Sequence, residues 1–219
     1  MGTVDLRDPQ RAAAGARRCV RDLGFRGIQI NPEPVKDYPP LFDPFFEPLW
    51  SEIEELDVPL GIHMAPITKF HAGSYYFPKW ALGIGISGFI IGNMMTSLAL
   101  IVGGVLERHL NLRVVHLETA CGWVATWLDR LYSVVLGSSR GKRAPELKLR
   151  PVEYFQRQCF AAADPDDPGI KVMIEAMGDD NTVTAVDFGH PEGKGYVHAI
   201  EDTLSLPGVS QESKRKIMW

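Results

Sequence analysis

The sequence predicts an α/β chain in which parallel strands are covered by helices. Three observations lead there. Short apolar runs alternate with segments of ten or more residues whose apolar positions have helical spacing. The runs RGIQI, VPLGI and TVTAV are not broken by regular polar alternation, as strands buried on both faces require. An Asp-Pro pair opens three of the helical segments, at Asp8-Pro9, Asp43-Pro44 and Asp167-Pro168, where the carboxylate caps and proline suits the first turn.

In chain order, the first helix runs from Pro9 to Leu23, with Gly24 as its stop. RGIQIN is a strand ending at Asn31, followed by a proline-rich loop. The segment after Asp43-Pro44 is a helix with Phe45, Leu49, Ile53 and Leu56 on one face, and VPLGIH is the next strand. A long aromatic loop follows, from Met64 to Trp80. LRVVHLE is a third strand and CGWVATWLDRLYSVV a helix, with Trp123, Trp127 and Leu131 on a core face. FQRQCFAAAD is read as a fourth strand, GIKVMIEAMGDD as a helix, NTVTAVDFG as a fifth strand and SQESKRKIMW as a last helix.

At 219 residues the chain is read as a single domain spanning residues 1–219. A hydrophobic content of 45% excludes a disordered chain, and a net charge of −4 argues against nucleic acid as a partner. Cys19, Cys121 and Cys159 are odd in number and form no CxxC pair, so a reducing cytoplasm is expected. The N-terminus lacks the apolar core of a signal peptide. From Ala81 to Leu106 there is no charge, yet glycines and the polar Ser87, Asn93, Thr96 and Ser97 interrupt the run. It is therefore read as a buried helix with a preceding loop, and no membrane contact is expected.

Three titratable residues close three strands: His63 after VPLGI, His116 after RVV and Asp187 after TVTAV. In parallel barrels side chains converge at the carboxyl ends of the strands. Imidazole and carboxylate are the ligand types of Zn²⁺ and Mn²⁺. The competing reading is three satisfied polar groups at strand ends.

Four long segments in order, LGFRGIQI, FDPFFEPLWSEIEELDVPLGIHMAP, GGVLERHLNLRVVHLE and GDDNTVTAVDFGHPEG, resemble the amidohydrolase-related decarboxylase family. That family includes aminocarboxymuconate semialdehyde decarboxylase and γ-resorcylate decarboxylase. The resemblance implies a partial (β/α)8 barrel holding strands 4 to 8. It implies one divalent ion, Zn²⁺ first and Mn²⁺ second, with His63 and Asp187 as ligands and His116 as the acid or base beside it. Glu118 and His190 are candidates to support these groups, although Gly189 stands where the family's turn usually has proline.

The implied reaction is non-oxidative decarboxylation of a small, possibly aromatic, carboxylic acid. Hydrolysis or hydration on the same site is one alternative, and an inactive barrel fragment that binds a partner is another. The family's first strand carries a further metal-binding pair that is expected to be missing here. The 219 residues alone are accordingly expected to bind metal weakly and to lack activity. The full-length protein is expected to form a homodimer.

Overall fold

The computed structural model describes residues 1–32, 37–64, 77, 79–136, 147–186 and 197–218. Its sheet has six parallel strands in the order of the chain: β1 (Gly2–Thr3), β2 (Ile28–Ile30), β3 (Leu60–Ile62), β4 (Val114–His116), β5 (Cys159–Ala163) and β6 (Thr182–Thr184). Between them run α1 (Pro9–Arg21), α2 (Glu47–Leu56), α3 (Ala81–Ile101), α4 (Val105–Arg108), α5 (Trp123–Leu136), α6 (Pro151–Gln158) and α7 (Gly169–Met177). Helices α8 (Ala199–Ser205) and α9 (Gln211–Ile217) follow. Sequential parallel strands joined by helical crossovers are the topology of an arc of a (β/α)8 barrel.

The sheet has one strand more than the five expected. Gly2–Thr3 is too short to show a pattern, but it pairs with Ile28 and Gln29. Its glycine is required by close packing, because a Cβ on Gly2 would lie 2.6 Å from Cys19 Sγ.

A second correction concerns FQRQ, which belongs to α6 and not to the strand that follows it. Pro151 occupies the first turn, and the Glu153 carboxylate accepts a hydrogen bond from the Arg150 backbone N–H at 2.7 Å. Tyr154, Phe155 and Gln158 then face inward. In α1, Asp8 caps as expected, accepting from the Gln10 and Arg11 amides at 3.1 Å each. Asp167 plays a different part from simple capping: its carboxylate ties Gly169 N at 2.7 Å and Cys121 N at 3.0 Å, joining two loops. Phe45 lies in a short 3₁₀ turn and is exposed, while Leu49, Trp50, Ile53 and Leu56 of α2 enter the core.

Helix α3 departs most from expectation. It begins at Ala81 without a preceding loop inside the run, and it is only half buried. The inward side carries Asn93, Thr96, Ser97, Leu100 and Ile101, whereas Leu82, Ile86, Ile91 and Met95 face outward. The polar side chains are satisfied inside: Thr96 Oγ1 donates to Pro32 O at 2.7 Å, and Trp127 Nε1 donates to Ser97 Oγ at 2.8 Å. Among the described residues, no helix is long and apolar enough to cross a membrane.

The strand register sorts side chains between two faces. Ile28, Leu60 and Val114 are aligned, as are Ile30, Ile62 and His116, and all six are fully buried. They pack into the layer of helices, with Phe46, Leu49, Trp50 and Ile53 in the same core. The alternate positions, Gln29, Gly61 and Val115, face the other way, toward the inside of the arc.

Candidate metal site at the carboxyl ends of β3 and β4

His63 lies one residue beyond β3 and continues its ladder, its N–H donating to Ile30 O at 3.1 Å. Alternation from Ile62 sends its imidazole to the inner face, together with Gln29. There the Gln29 amide lies 3.4 Å from His63 Nδ1. The ring of Phe89, from α3, meets the imidazole edge to face at 5.8 Å. His63 Nε2 is 2.9 Å from Glu118 Oε1, and both side chains keep contact with solvent, at 22% and 34% exposure.

Glu118 reaches His63 because the chain turns sharply after β4. Glu118 and Ala120 both have φ +52°, a left-handed conformation that disfavours side chains with a Cβ. Each costs on the order of 1–2 kcal/mol. The turn is held by its surroundings: Trp123 Nε1 donates to Ala120 O at 3.1 Å, and Cys121 N donates to Asp167 at 3.0 Å.

His116 is placed elsewhere. It is in register with Ile62 and Ala161, so its side chain takes the outer face and enters the helix layer. The ring stacks on Phe155 at 5.9 Å and meets Trp123 edge to face at 5.4 Å. Asn93 Oδ1 lies 2.8 Å from His116 Nδ1, and Asn93 Nδ2 donates to Phe89 O at 2.9 Å. That second bond fixes the amide orientation, so Nδ1 carries the imidazole proton. Burial lowers the His116 pKa to about 3, which keeps the ring neutral. Its Nε2 has no hydrogen-bond partner among the described residues.

Of the three residues expected to converge, the two histidines do not meet. His63 and His116 close neighbouring strands but point to opposite faces, because they stand one register position apart. The described residue that meets His63 from β4's end is Glu118. Asp187 and His190 lie outside the described residues, as do His71, Arg140, Lys142, Arg143 and most of the aromatic loop. Lys148 pairs with Glu107 and Arg150 with Glu153. Cys121 and Cys159 are buried, and burial pushes both thiols up, which disfavours the thiolate. From the sequence Glu118 is a candidate to support His63, His116 and Asp187, and the structure sets it against His63. A non-glycine left-handed residue leaves no signal in sequence, so the direction of this carboxylate is legible only in the structure.

An imidazole and a carboxylate facing each other at the carboxyl ends of adjacent strands define a barrel protein with donors suited to a divalent ion. Among the described residues, no group of three or more His, Cys, Asp or Glu that could hold a metal ion is present. A family model described as amidohydrolase matches residues 1–219, and the chain belongs to that family. The γ-resorcylate decarboxylase of Rhodococcus jostii is 33% identical over 119 residues, taking in 51% of this chain and 36% of that protein. The solved 5-carboxyvanillate decarboxylase of Sphingomonas paucimobilis matches with a TM-score of 0.82 and 25% identity, over 99% of this chain and 63% of that one. The corresponding enzyme of Novosphingobium aromaticivorans, solved with bound manganese and a nitrobenzoic acid, matches at 0.81 and 27%, over 100% of this chain and 62% of that one. The chain thus spans about a third to two thirds of the length of these relatives.

Proposed function

We propose that this chain belongs to a metal-dependent decarboxylase acting on a small aromatic carboxylic acid. The observation that carries the reading is the His63 imidazole at the carboxyl end of β3, turned to the inner face. It occurs in a chain of the amidohydrolase family that aligns along its whole length with a manganese-bearing carboxyvanillate decarboxylase. His63 is assigned as one ligand, with Asp187, beyond the end of β6, as another. Manganese is the favoured ion because the relative holds it, with zinc the alternative.

A divalent ion in this position supplies polarisation of a substrate oxygen. The protein's own groups prepare the place for it. Gln29 and Phe89 set the orientation of the His63 ring from two sides, leaving Nε2 turned toward the mouth. The carboxyl end of β2 adds a further polar atom, Asn31 Oδ1, which is buried and without a hydrogen-bond partner among the described residues. His116 is assigned a packing role.

The test is incubation of the full-length protein and Mn²⁺ with 2,6-dihydroxybenzoate or 5-carboxyvanillate in ¹⁸O-labelled water. Release of CO₂ with no label in the organic product is expected. Failure of the metal-loaded protein to release CO₂ from either acid would overturn the decarboxylase reading.

A further inference from the structure

The reading above leaves Glu118 without a task, although its carboxylate is delivered to His63 at the cost of a left-handed backbone. We propose that Glu118 is a ligand that the end of β4 contributes to the ion, at the strand end where the sequence resemblance placed His116 as acid or base. This inference rests on the proposed metal site and adds a residue to it.

The argument is geometric. Two donors bound side by side to an ion at ~2.1 Å, about 90° apart, lie about 3.0 Å from each other. His63 Nε2 and Glu118 Oε1 are 2.9 Å apart, so an ion can join them with little movement of either side chain. The ring is supported as metal-binding histidines are, by a partner on its other nitrogen. Gln29 Nε2 is placed 3.4 Å from Nδ1, and a flip of that amide, which exchanges its nitrogen and oxygen, lets Nδ1 donate and leaves the His63 Nε2 lone pair for the ion. His116 fails each of these conditions. Its ring is fully buried on the outer face, between Phe155 and Trp123, with Nδ1 held by Asn93.

A plain hydrogen bond between Glu118 and His63 would share the same distance, so the test must separate a ligand from an orienting partner. Sulfur does so, because a thiolate prefers the soft Cd²⁺ to Mn²⁺. Full-length wild-type protein and the variants Glu118→Gln, Glu118→Cys and His63→Ala are titrated with Mn²⁺ alone and with Cd²⁺ alone. Calorimetry and near-ultraviolet absorbance are followed, and circular dichroism confirms folding. Glu118→Gln, close to isosteric, is expected to weaken Mn²⁺ by about 100-fold or more, beyond the roughly 10- to 100-fold typical of losing an outer partner. Glu118→Cys is expected to lose Mn²⁺, bind Cd²⁺ tightly and show thiolate-to-cadmium charge-transfer absorbance.

Wild-type Mn²⁺ affinity in folded Glu118→Gln would overturn the proposal. So would Cd²⁺ binding to Glu118→Cys without the charge-transfer band. If His63→Ala also binds Mn²⁺ as wild type does, the metal site itself is misplaced. If only His63→Ala fails to bind, the site stands and Glu118 is excluded from it.

Discussion

Asn93 accepts the Nδ1 proton of His116 at 2.8 Å, and the same amide donates to Phe89 O at 2.9 Å. Two buried polar residues on α3 and β4 are thereby locked in one orientation, and the strand-end histidine becomes part of the core. Replacing Asn93 by Leu leaves the His116 N–H without an acceptor. A loss of about 1–3 kcal/mol is expected. Urea unfolding at neutral pH measures it, and a loss below experimental error would show that the bond contributes nothing.

His116 also predicts a pH dependence. Its folded pKa, about 3, lies below the ordinary histidine value of 6.5, so the unfolded chain binds the proton first. Stability from this residue is therefore fully present above pH 6.5 and falls as pH drops toward 3. The slope approaches about 1.4 kcal/mol per pH unit. Carboxylates elsewhere also respond to acid, so the comparison is between wild type and His116→Gln. The variant is expected to show the shallower decline between pH 6.5 and 4 in urea midpoints. Parallel curves would count against a neutral, buried ring.

At the other end of the barrel arc, His109 joins α2 by both ring nitrogens, to Glu47 at 2.8 Å and Glu54 at 2.9 Å. Desolvation raises the Glu47 carboxyl, but hydrogen bonds from His109 and Arg108 outweigh it and hold the pKa below the usual carboxylate range. The contribution is present at neutral pH and is lost as pH falls through that lowered value. Glu47→Gln should lower stability at pH 7 by about 0.5–1.5 kcal/mol, allowing for the partial exposure of the pair. The difference from wild type should shrink in acid, as chemical unfolding at pH 7 and pH 3 would reveal.

The turn at Glu118 and Ala120 makes a separate prediction. A glycine at Ala120 relieves the left-handed backbone, whereas a β-branched residue aggravates it. Ala120→Gly is expected to hold or raise the melting temperature and Ala120→Val to lower it, with Mn²⁺ affinity falling as Glu118 is displaced. Equal melting temperatures for the two variants would contradict the conformation.

Much of this architecture is visible in the residues themselves. The Asp8 cap, the apolar spacing of Leu49, Ile53 and Leu56, and the unbroken RGIQI and VPLGI runs each act locally, so pattern alone places α1, α2, β2 and β3. Gly2–Thr3 is a strand only because Ile28 and Gln29 pair with it, whereas FQRQ ends a helix whose start signals, Pro151 and Glu153, lie upstream of the apolar run. The site was half legible for a related reason. A histidine closing an apolar strand reads identically whichever face it takes, and one register position separates the mouth from the helix layer. His63 was placed by its own strand. The face that His116 takes follows from register with Ile62, a tertiary fact, and the turn that carries Glu118 toward His63 is held by contacts of Asp167 and Trp123.

The direct measurement is a crystal structure of the full-length protein grown with Mn²⁺, with anomalous data collected at the manganese edge. A single anomalous peak within ~2.0–2.3 Å of both His63 Nε2 and a Glu118 carboxylate oxygen is predicted, with His116 buried on the opposite face. A peak bonded to His116, or one that leaves Glu118 uncoordinated, would contradict the account.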